Sequence, residues 1–96
     1  MNYVRSRDTL NLTTFGQRVR FLREHRGLTQ EQVRAALEQH GVVIGQGYIS
    51  VLETSPADRK PSGSVVAGLA DVLGTSADFL LGRPVKPEMI GIFEHA

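Results

Sequence analysis

The feature that most constrains the fold is a short amphipathic segment that begins at Thr29. Apolar Val33, Ala36 and Leu37 recur at offsets of three and four, which places them on one face of a helix. Thr29 is a good N-cap, and Gln32 has the spacing of a capping box. The sequence therefore predicts a helix of about three turns that starts at Thr29 and buries one face against the rest of the domain.

A second short amphipathic segment follows from Gln46 to Glu53 or Thr54. Its apolar Ile49 and Leu52 are three residues apart, so they share one buried face. The pair His40–Gly41 marks the end of the preceding helix. Two successive short helices that must pack on each other predict a helix-turn-helix.

Start and stop residues along the chain predict five helices and an all-α domain. The other three are predicted as a first helix from Phe15 to His25 or Arg26, a fourth that begins after Ser62, and a fifth that begins after Ser76. The predicted caps and stops are Thr14, Gly27, Ser62, Gly74, Ser76, Gly82 and Pro84, and the predicted core of these three helices is Phe15, Val19, Leu22, Val65, Val66, Leu69, Ala70, Leu73, Phe79, Leu80 and Leu81.

Several motifs in fixed order resemble the Cro/C1-type (xenobiotic response element) helix-turn-helix family. They are Leu28 to Glu31, Ile49 to Glu53, and Lys60-Pro61-Ser62, and the resemblance covers Phe15 to Gly82. It implies a compact five-helix, lambda-repressor-like domain that binds DNA. The connection Glu38 to Ile44 and the loop Thr54 to Arg59 are longer than is usual in the family, and both are loosely similar to EspR-type regulators.

In a helix-turn-helix, the second helix presents its first turn and outward face to the major groove. The expected base contacts are Gln46, Gly47, Tyr48, Ser50 and Val51. The Gln46 amide suits an adenine edge, and Val51 suits a thymine methyl group. Gln46 could instead only solvate a helix start, and for Tyr48 a phosphate or packing contact is favoured over base reading.

Two glycines near the start of this helix lead to a separate expectation. Gly45 stands at the expected N-cap, and Gly47 is expected inside the first turn, where it would weaken the helix by roughly 0.5 to 1 kcal/mol relative to Ala. Gly47 either lets the backbone approach DNA closely or is merely tolerated.

The resemblance also implies phosphate contacts and a structural ion pair. Gln30 matches the family residue that contacts the DNA backbone, and a helix N-terminus favours anions. The expected phosphate contacts are Thr29, Gln30, Ser55, Arg59, Lys60 and Ser62, although the loop residues could form an ordinary solvated turn. Arg23 and Glu53 match the positions of a partly buried ion pair.

Composition and charge are compatible with one small domain. A chain of 96 residues with 41% hydrophobic residues can bury one core. The net charge is only +1, but residues 1–60 hold nine of the eleven basic residues against six of the ten acidic ones. The basic excess therefore belongs to the half with the helix-turn-helix. The absence of cysteine, of a long apolar run and of a secretory signal predicts a soluble, cytoplasmic protein.

We divide the chain into an N-terminal arm (1–13), a helix-turn-helix domain (14–82) and a C-terminal tail (83–96). For the arm, partial disorder is favoured over packing on a partner. In the tail, Met89, Ile90, Ile92 and Phe93 either cover the base of the domain or form a dimer contact.

An enzymatic function finds no support in the sequence. His25, His40 and His95 are scattered, and no cysteine can act as a nucleophile or hold zinc, so we expect no cofactor and no metal. The sequence instead predicts a DNA-binding transcriptional regulator, a repressor that acts as a homodimer on double-stranded DNA. Alternatives are an antitoxin, restriction-controller or phage-type regulator, or a protein-interaction module of the same fold that does not bind DNA.

Overall fold

The computed structural model describes residues 12–84, which form five α helices and no strand. In chain order the helices are α1 (Phe15–His25), α2 (Gln30–Gln39), α3 (Tyr48–Thr54), α4 (Gly63–Leu73) and α5 (Ala77–Leu80). This confirms the predicted all-α fold. Residues 1–11 and 85–96, with most of the predicted arm and tail, lie outside the described part of the chain.

Reciprocal capping boxes begin the first two helices. The Thr29 hydroxyl accepts from the Gln32 backbone N–H at 3.0 Å, and the Gln32 side chain accepts from the Thr29 N–H at 2.8 Å. Thr14 and Gln17 make the same exchange at the start of α1. Each box satisfies donors that a helix N-terminus leaves unpaired, which fixes where α1 and α2 begin.

The caps of the last two helices differ from each other. The Ser76 hydroxyl accepts from the Phe79 N–H at 3.1 Å, as predicted for α5. Ser62 stands at the N-cap of α4, but its side chain caps no backbone N–H and instead lies 3.3 Å from the Ser64 hydroxyl. The prediction that Ser62 caps α4 is thus correct in position only. At the other end of α4, the Arg26 side chain donates to the Leu73 carbonyl at 3.0 Å.

One apolar core joins all five helices, and α1 contacts α3, α4 and α5. Burial of each large apolar side chain contributes about 1.5–3 kcal/mol. Three residues predicted for the core, namely Ala36, Val65 and Leu81, are only partly buried. The buried apolar residues are Phe15, Val19, Leu22, Val33, Leu37, Ile49, Leu52, Val66, Leu69, Ala70, Leu73, Phe79 and Leu80.

The long connection between α2 and α3 is anchored at its start. The Val42 N–H donates to the Leu37 carbonyl at 2.9 Å, and the Val42 side chain packs on the core. It also approaches α4 closely, since a Cβ on Gly68 would lie 3.1 Å from a Val42 methyl carbon. The following Val43 is 78% exposed. The connection therefore rests on α4 at Val42, is exposed at Val43, and packs against the core again at Ile44 before α3 begins.

Candidate nucleic-acid interface

Helix α3 buries one face and leaves the opposite face open. Ile49 and Leu52 are 3% and 8% exposed, whereas Val51 is 65% exposed. Ser50 is partly exposed, and Tyr48 is half-buried against the edge of the core. Of the predicted base contacts on α3, Ser50 and Val51 are therefore available, and Tyr48 shares its ring with the core.

The start of α3 corrects the sequence prediction. The helix begins at Tyr48 rather than Gln46, because Gly47 has a φ of 87° and this left-handed conformation cannot belong to a right-handed helix. Gly45 is not the N-cap, since its carbonyl accepts from the Tyr48 N–H at 3.2 Å and closes a turn ahead of the helix. The expectation that Gly47 weakens the first turn is wrong. As the N-cap, Gly47 adopts a left-handed conformation that is open to glycine but disfavoured for other residues.

A cleft of about 260 Å³ separates the first half of α2 from the start of α3. It brings together four of the predicted contact residues, although the connection between α2 and α3 is long. Gln46 lies in the turn ahead of α3 and is exposed. The residues that line the cleft are Gln30, Glu31, Arg34, Gly45, Gln46, Gly47, Ile49 and Ser50.

Glu53 joins the first three helices. Its carboxylate accepts from Arg23 Nε at 2.7 Å and from Arg23 Nη2 at 2.9 Å. The side chains of Arg23 and Glu53 are 12% and 1% exposed, so the pair is shielded from water. The hydrogen bond to Glu53 raises the pKa of the Arg23 guanidinium, which keeps the guanidinium charged. This interaction fixes the C-terminal end of α3 against α1.

Gln30 contacts the same carboxylate. Its amide nitrogen donates to Glu53 Oε1 at 3.1 Å. The residue expected at a DNA phosphate is therefore part of the cluster that orients α3, with one amide hydrogen left for a further acceptor. Thr29 is engaged as well, because its hydroxyl caps α2.

Four of the predicted phosphate contacts lie in or at the end of the loop between α3 and α4, and their side chains differ in the partners they have. Ser55 accepts from the Ala57 N–H at 3.3 Å, and Lys60 forms an ion pair with Asp58 at 2.8 Å. Arg59 is exposed, and its side chain makes no ion pair with any residue of the described range 12–84. Ser62 lies at the start of α4 next to Ser64.

A second groove lies on the other side of α3. Its volume is about 250 Å³, and it is lined by Tyr48, Val51, Leu52, Arg59, Lys60 and Pro61. Here the exposed Val51 lies beside two cations of the loop. Predicted base and phosphate contacts thus share one surface.

Sequence reasoning missed a charge cluster on α2. Arg34 donates from Nε and Nη2 to Glu31 at 2.8 and 2.6 Å, and from Nη1 to Glu38 at 2.9 Å. These bonds raise the pKa of Arg34 above its usual value and lower the pKa of Glu31. The i,i+3 and i,i+4 spacing was the signal that could have found it. The cluster of two acidic side chains and one guanidinium has a formal net charge of −1, and its members Glu31 and Arg34 line the first cleft.

Sequence reasoning also missed Asp58. Its Oδ1 accepts from the Phe15 N–H at 2.8 Å, across 43 residues of chain. The hydrogen bond from Lys60, followed by that from Phe15, lowers the pKa of this carboxyl. No sequence signal marks this contact, because it depends on how α1 and the loop meet in space.

Within residues 12–84 there is no cluster of His, Asp or Glu side chains that could hold a metal ion. No helix of this range is long and apolar enough to cross a membrane.

Comparison with known proteins gives one family. The profile described as "Helix-turn-helix domain", from the XRE-like group of helix-turn-helix families, matches residues 14–80. No curated protein and no solved structure matches the chain significantly. The match covers more than half of the 96 residues and all five helices. The chain therefore belongs to the helix-turn-helix domain family, whose fold is that of DNA-binding regulators.

Proposed function

We propose that this protein is a sequence-specific DNA-binding transcriptional regulator of the Cro/C1 type, which reads the major groove with α3. One observation carries the proposal. Ile49, Leu52 and Glu53 hold α3 in the domain, while Ser50 and Val51 on its opposite face stay available. An exposed valine in the middle of a well-anchored helix suits a thymine methyl group in the groove.

Base reading is assigned to the outward face of α3 and the turn before it. Gln46 supplies an amide that can pair with an adenine edge, and Ser50 supplies a hydroxyl. Gly47 lets the backbone of the turn come close to a base pair, and Tyr48 contributes the exposed edge of its ring.

Phosphate contacts flank this face on both sides. At the start of α2, Gln30 presents its backbone N–H, which the helix dipole supports, and the Thr29 hydroxyl still has its own hydrogen to donate. In the loop after α3, Ser55, Arg59, Lys60 and Ser62 offer hydroxyl and cationic donors. These contacts fix the register of the domain on the duplex and add affinity for any sequence.

We further propose that the protein acts as a homodimer on a two-fold operator. A helix of seven residues reaches few base pairs, and two copies about 34 Å apart would double the contacts. A dimer that occupies such an operator would exclude other proteins from it, so repression is the proposed regulatory outcome.

The test is in-vitro selection of DNA from a random pool, followed by fluorescence anisotropy on selected and scrambled duplexes. Val51→Ala and Gln46→Ala should reduce discrimination between the two duplexes, by about 1–3 kcal/mol for a lost base contact. Val43→Ala is the matched control, because Val43 is similarly exposed but belongs to the connection rather than to α3.

Two outcomes would contradict the proposal. Absence of binding even at low salt would favour a protein-interaction module of this fold. Binding without any sequence preference would support only the proposed phosphate contacts and would contradict the proposed base contacts of α3.

A further inference from the structure

The two adjacent cations of the loop between α3 and α4 have unequal freedom. Lys60 Nζ lies 2.8 Å from Asp58 Oδ2, so its charge is balanced inside the loop. Arg59 is exposed and has no carboxylate partner among the described residues. Its backbone N–H donates to the Ala57 carbonyl at 2.9 Å, which closes a tight turn. Contact with a DNA phosphate would therefore cost less free energy for Arg59 than for Lys60, because Lys60 must first break its ion pair with Asp58.

Asp58 ties this turn to the most rigid part of the domain. Its Oδ1 accepts from the Phe15 N–H at 2.8 Å. Phe15 is the first residue of α1 and is fully buried, so its N–H has little freedom to follow the loop. The N–H groups of a first helical turn have no partner within the helix, and here Asp58 supplies one.

Arg18 supplies a fixed positive charge behind Asp58. Its Nη2 lies 3.9 Å from Asp58 Oδ1, and its side chain is only 8% exposed. The guanidinium also donates to the Leu80 carbonyl at 2.8 Å and to the Leu12 carbonyl at 3.0 Å. Since these carbonyls hold Arg18 in place, the charge that faces Asp58 cannot move with the loop.

We propose that Asp58 is a positioning residue for DNA binding: it anchors the loop to α1, holds Lys60, and presents Arg59 to a DNA phosphate. This inference rests on the proposed DNA binding. It predicts that removal of the Asp58 carboxylate weakens DNA binding, whereas the change in charge alone would strengthen it. A carboxylate near DNA repels phosphate, so removing it should tighten binding unless its contacts hold the loop in place.

The test compares Asp58→Ala with Asp71→Ala by anisotropy over a series of salt concentrations. The two variants lose the same charge, but the Asp71 side chain makes no hydrogen bond or ion pair within residues 12–84. We expect Asp58→Ala to weaken binding about tenfold and to reduce the slope of log K against log salt by about 0.9, the value for one lost phosphate contact. Arg59→Ala should do the same, and combining it with Asp58→Ala should add little.

Tighter binding of Asp58→Ala, or a slope equal to that of the wild type, would overturn the proposal. Thermal unfolding of each variant identifies a temperature at which all of them are folded. A loss of affinity measured at that temperature is then not due to unfolding. Asp58→Asn should recover part of the affinity, because its side-chain carbonyl can still accept from the Phe15 N–H.

A second measurement needs no DNA. In Asp58→Ala, the heteronuclear NOE of the Arg59 and Lys60 amides should fall, while that of amides within α1 stays as in the wild type. An unchanged NOE in the loop would refute the anchoring role. If the wild type fails to bind any DNA, the proposed function fails, and the NOE still decides whether Asp58 positions the loop.

Discussion

The backbone of Gly16 in α1 lies against the backbone of Leu52 in α3 with no space for a side chain between them. A Cβ on Gly16 would overlap the Leu52 carbonyl oxygen and would lie 3.2 Å from Glu53 Cα. Gly16 is buried one residue after the start of α1. The absence of a side chain at this point sets how closely α3 approaches α1, and so the direction in which the outward face of α3 points.

Gly16→Ala should therefore destabilise the domain. A backbone carbonyl cannot rotate away as a side chain can, so we expect a loss of about 1–3 kcal/mol in the free energy of unfolding, as for overpacked cores. Gly63→Ala is the control, because Gly63 begins α4 and a Cβ there meets nothing within 4 Å. It should be neutral or stabilising by up to ~1 kcal/mol. Urea unfolding followed by circular dichroism measures both, and equal effects would refute the close approach.

The ion pair of Arg23 and Glu53 should show strong coupling in a double-mutant cycle. Removing either partner leaves a desolvated charge, which costs about 3–5 kcal/mol, whereas removing both should cost little more than one. The exposed pair of Arg20 and Glu24, with both side chains 55% exposed, serves as the control and should couple by only about 0.3–0.5 kcal/mol. Coupling of the first pair no larger than that of the second would contradict its structural role.

Local rules were enough to predict most of the helical framework. Capping boxes such as Thr29 with Gln32 and apolar spacing such as Val33 with Leu37 act within one or two turns, so the sequence displays them directly. The start of α3 was missed for a local reason too. A glycine can serve either inside a helix or in a left-handed turn, and only the backbone path decides between them.

The contacts that orient the candidate site could not be predicted from the residues alone. Asp58 and Phe15 are 43 residues apart, and Gln30 and Glu53 are 23 apart. Such contacts depend on the packing of whole helices, and the polar residues that make them resemble ordinary surface residues in sequence. The family resemblance indicated where Arg23 and Glu53 belong, but it carried no equivalent for Asp58.

The left-handed turn at Gly47 gives a matched pair of substitutions. Gly47→Ala should lose about 1–2 kcal/mol, because a Cβ disfavours the φ of 87° even though nothing lies within 4 Å of it. Gly45→Ala, two residues earlier in the same turn, has a negative φ and equally open space, so it should be neutral or stabilising by about 0.4–1 kcal/mol. Chemical denaturation measures the unfolding free energy of the two variants. If Gly45→Ala were the more destabilising substitution, the start of α3 at Tyr48 would be contradicted, and a start at Gln46 would be favoured.

Acid should weaken the anchor of the loop between α3 and α4. Lys60 first, then the Phe15 N–H, holds the pKa of Asp58 below its ordinary value of 3.8, and the Arg18 guanidinium acts in the same direction. A carboxyl whose pKa is depressed by folding stabilises the folded state above its unfolded pKa, and this contribution is lost as the pH falls through the folded pKa. The difference in unfolding free energy between the wild type and Asp58→Asn should therefore be constant above about pH 5 and shrink below about pH 4. Asp71→Asn is the control for the loss of one charge, because the Asp71 side chain has no hydrogen-bond or ion-pair partner within residues 12–84. Urea unfolding of the three proteins across this pH series gives the measurement, and a wild-type advantage that grows on acidification would show that the sign is wrong.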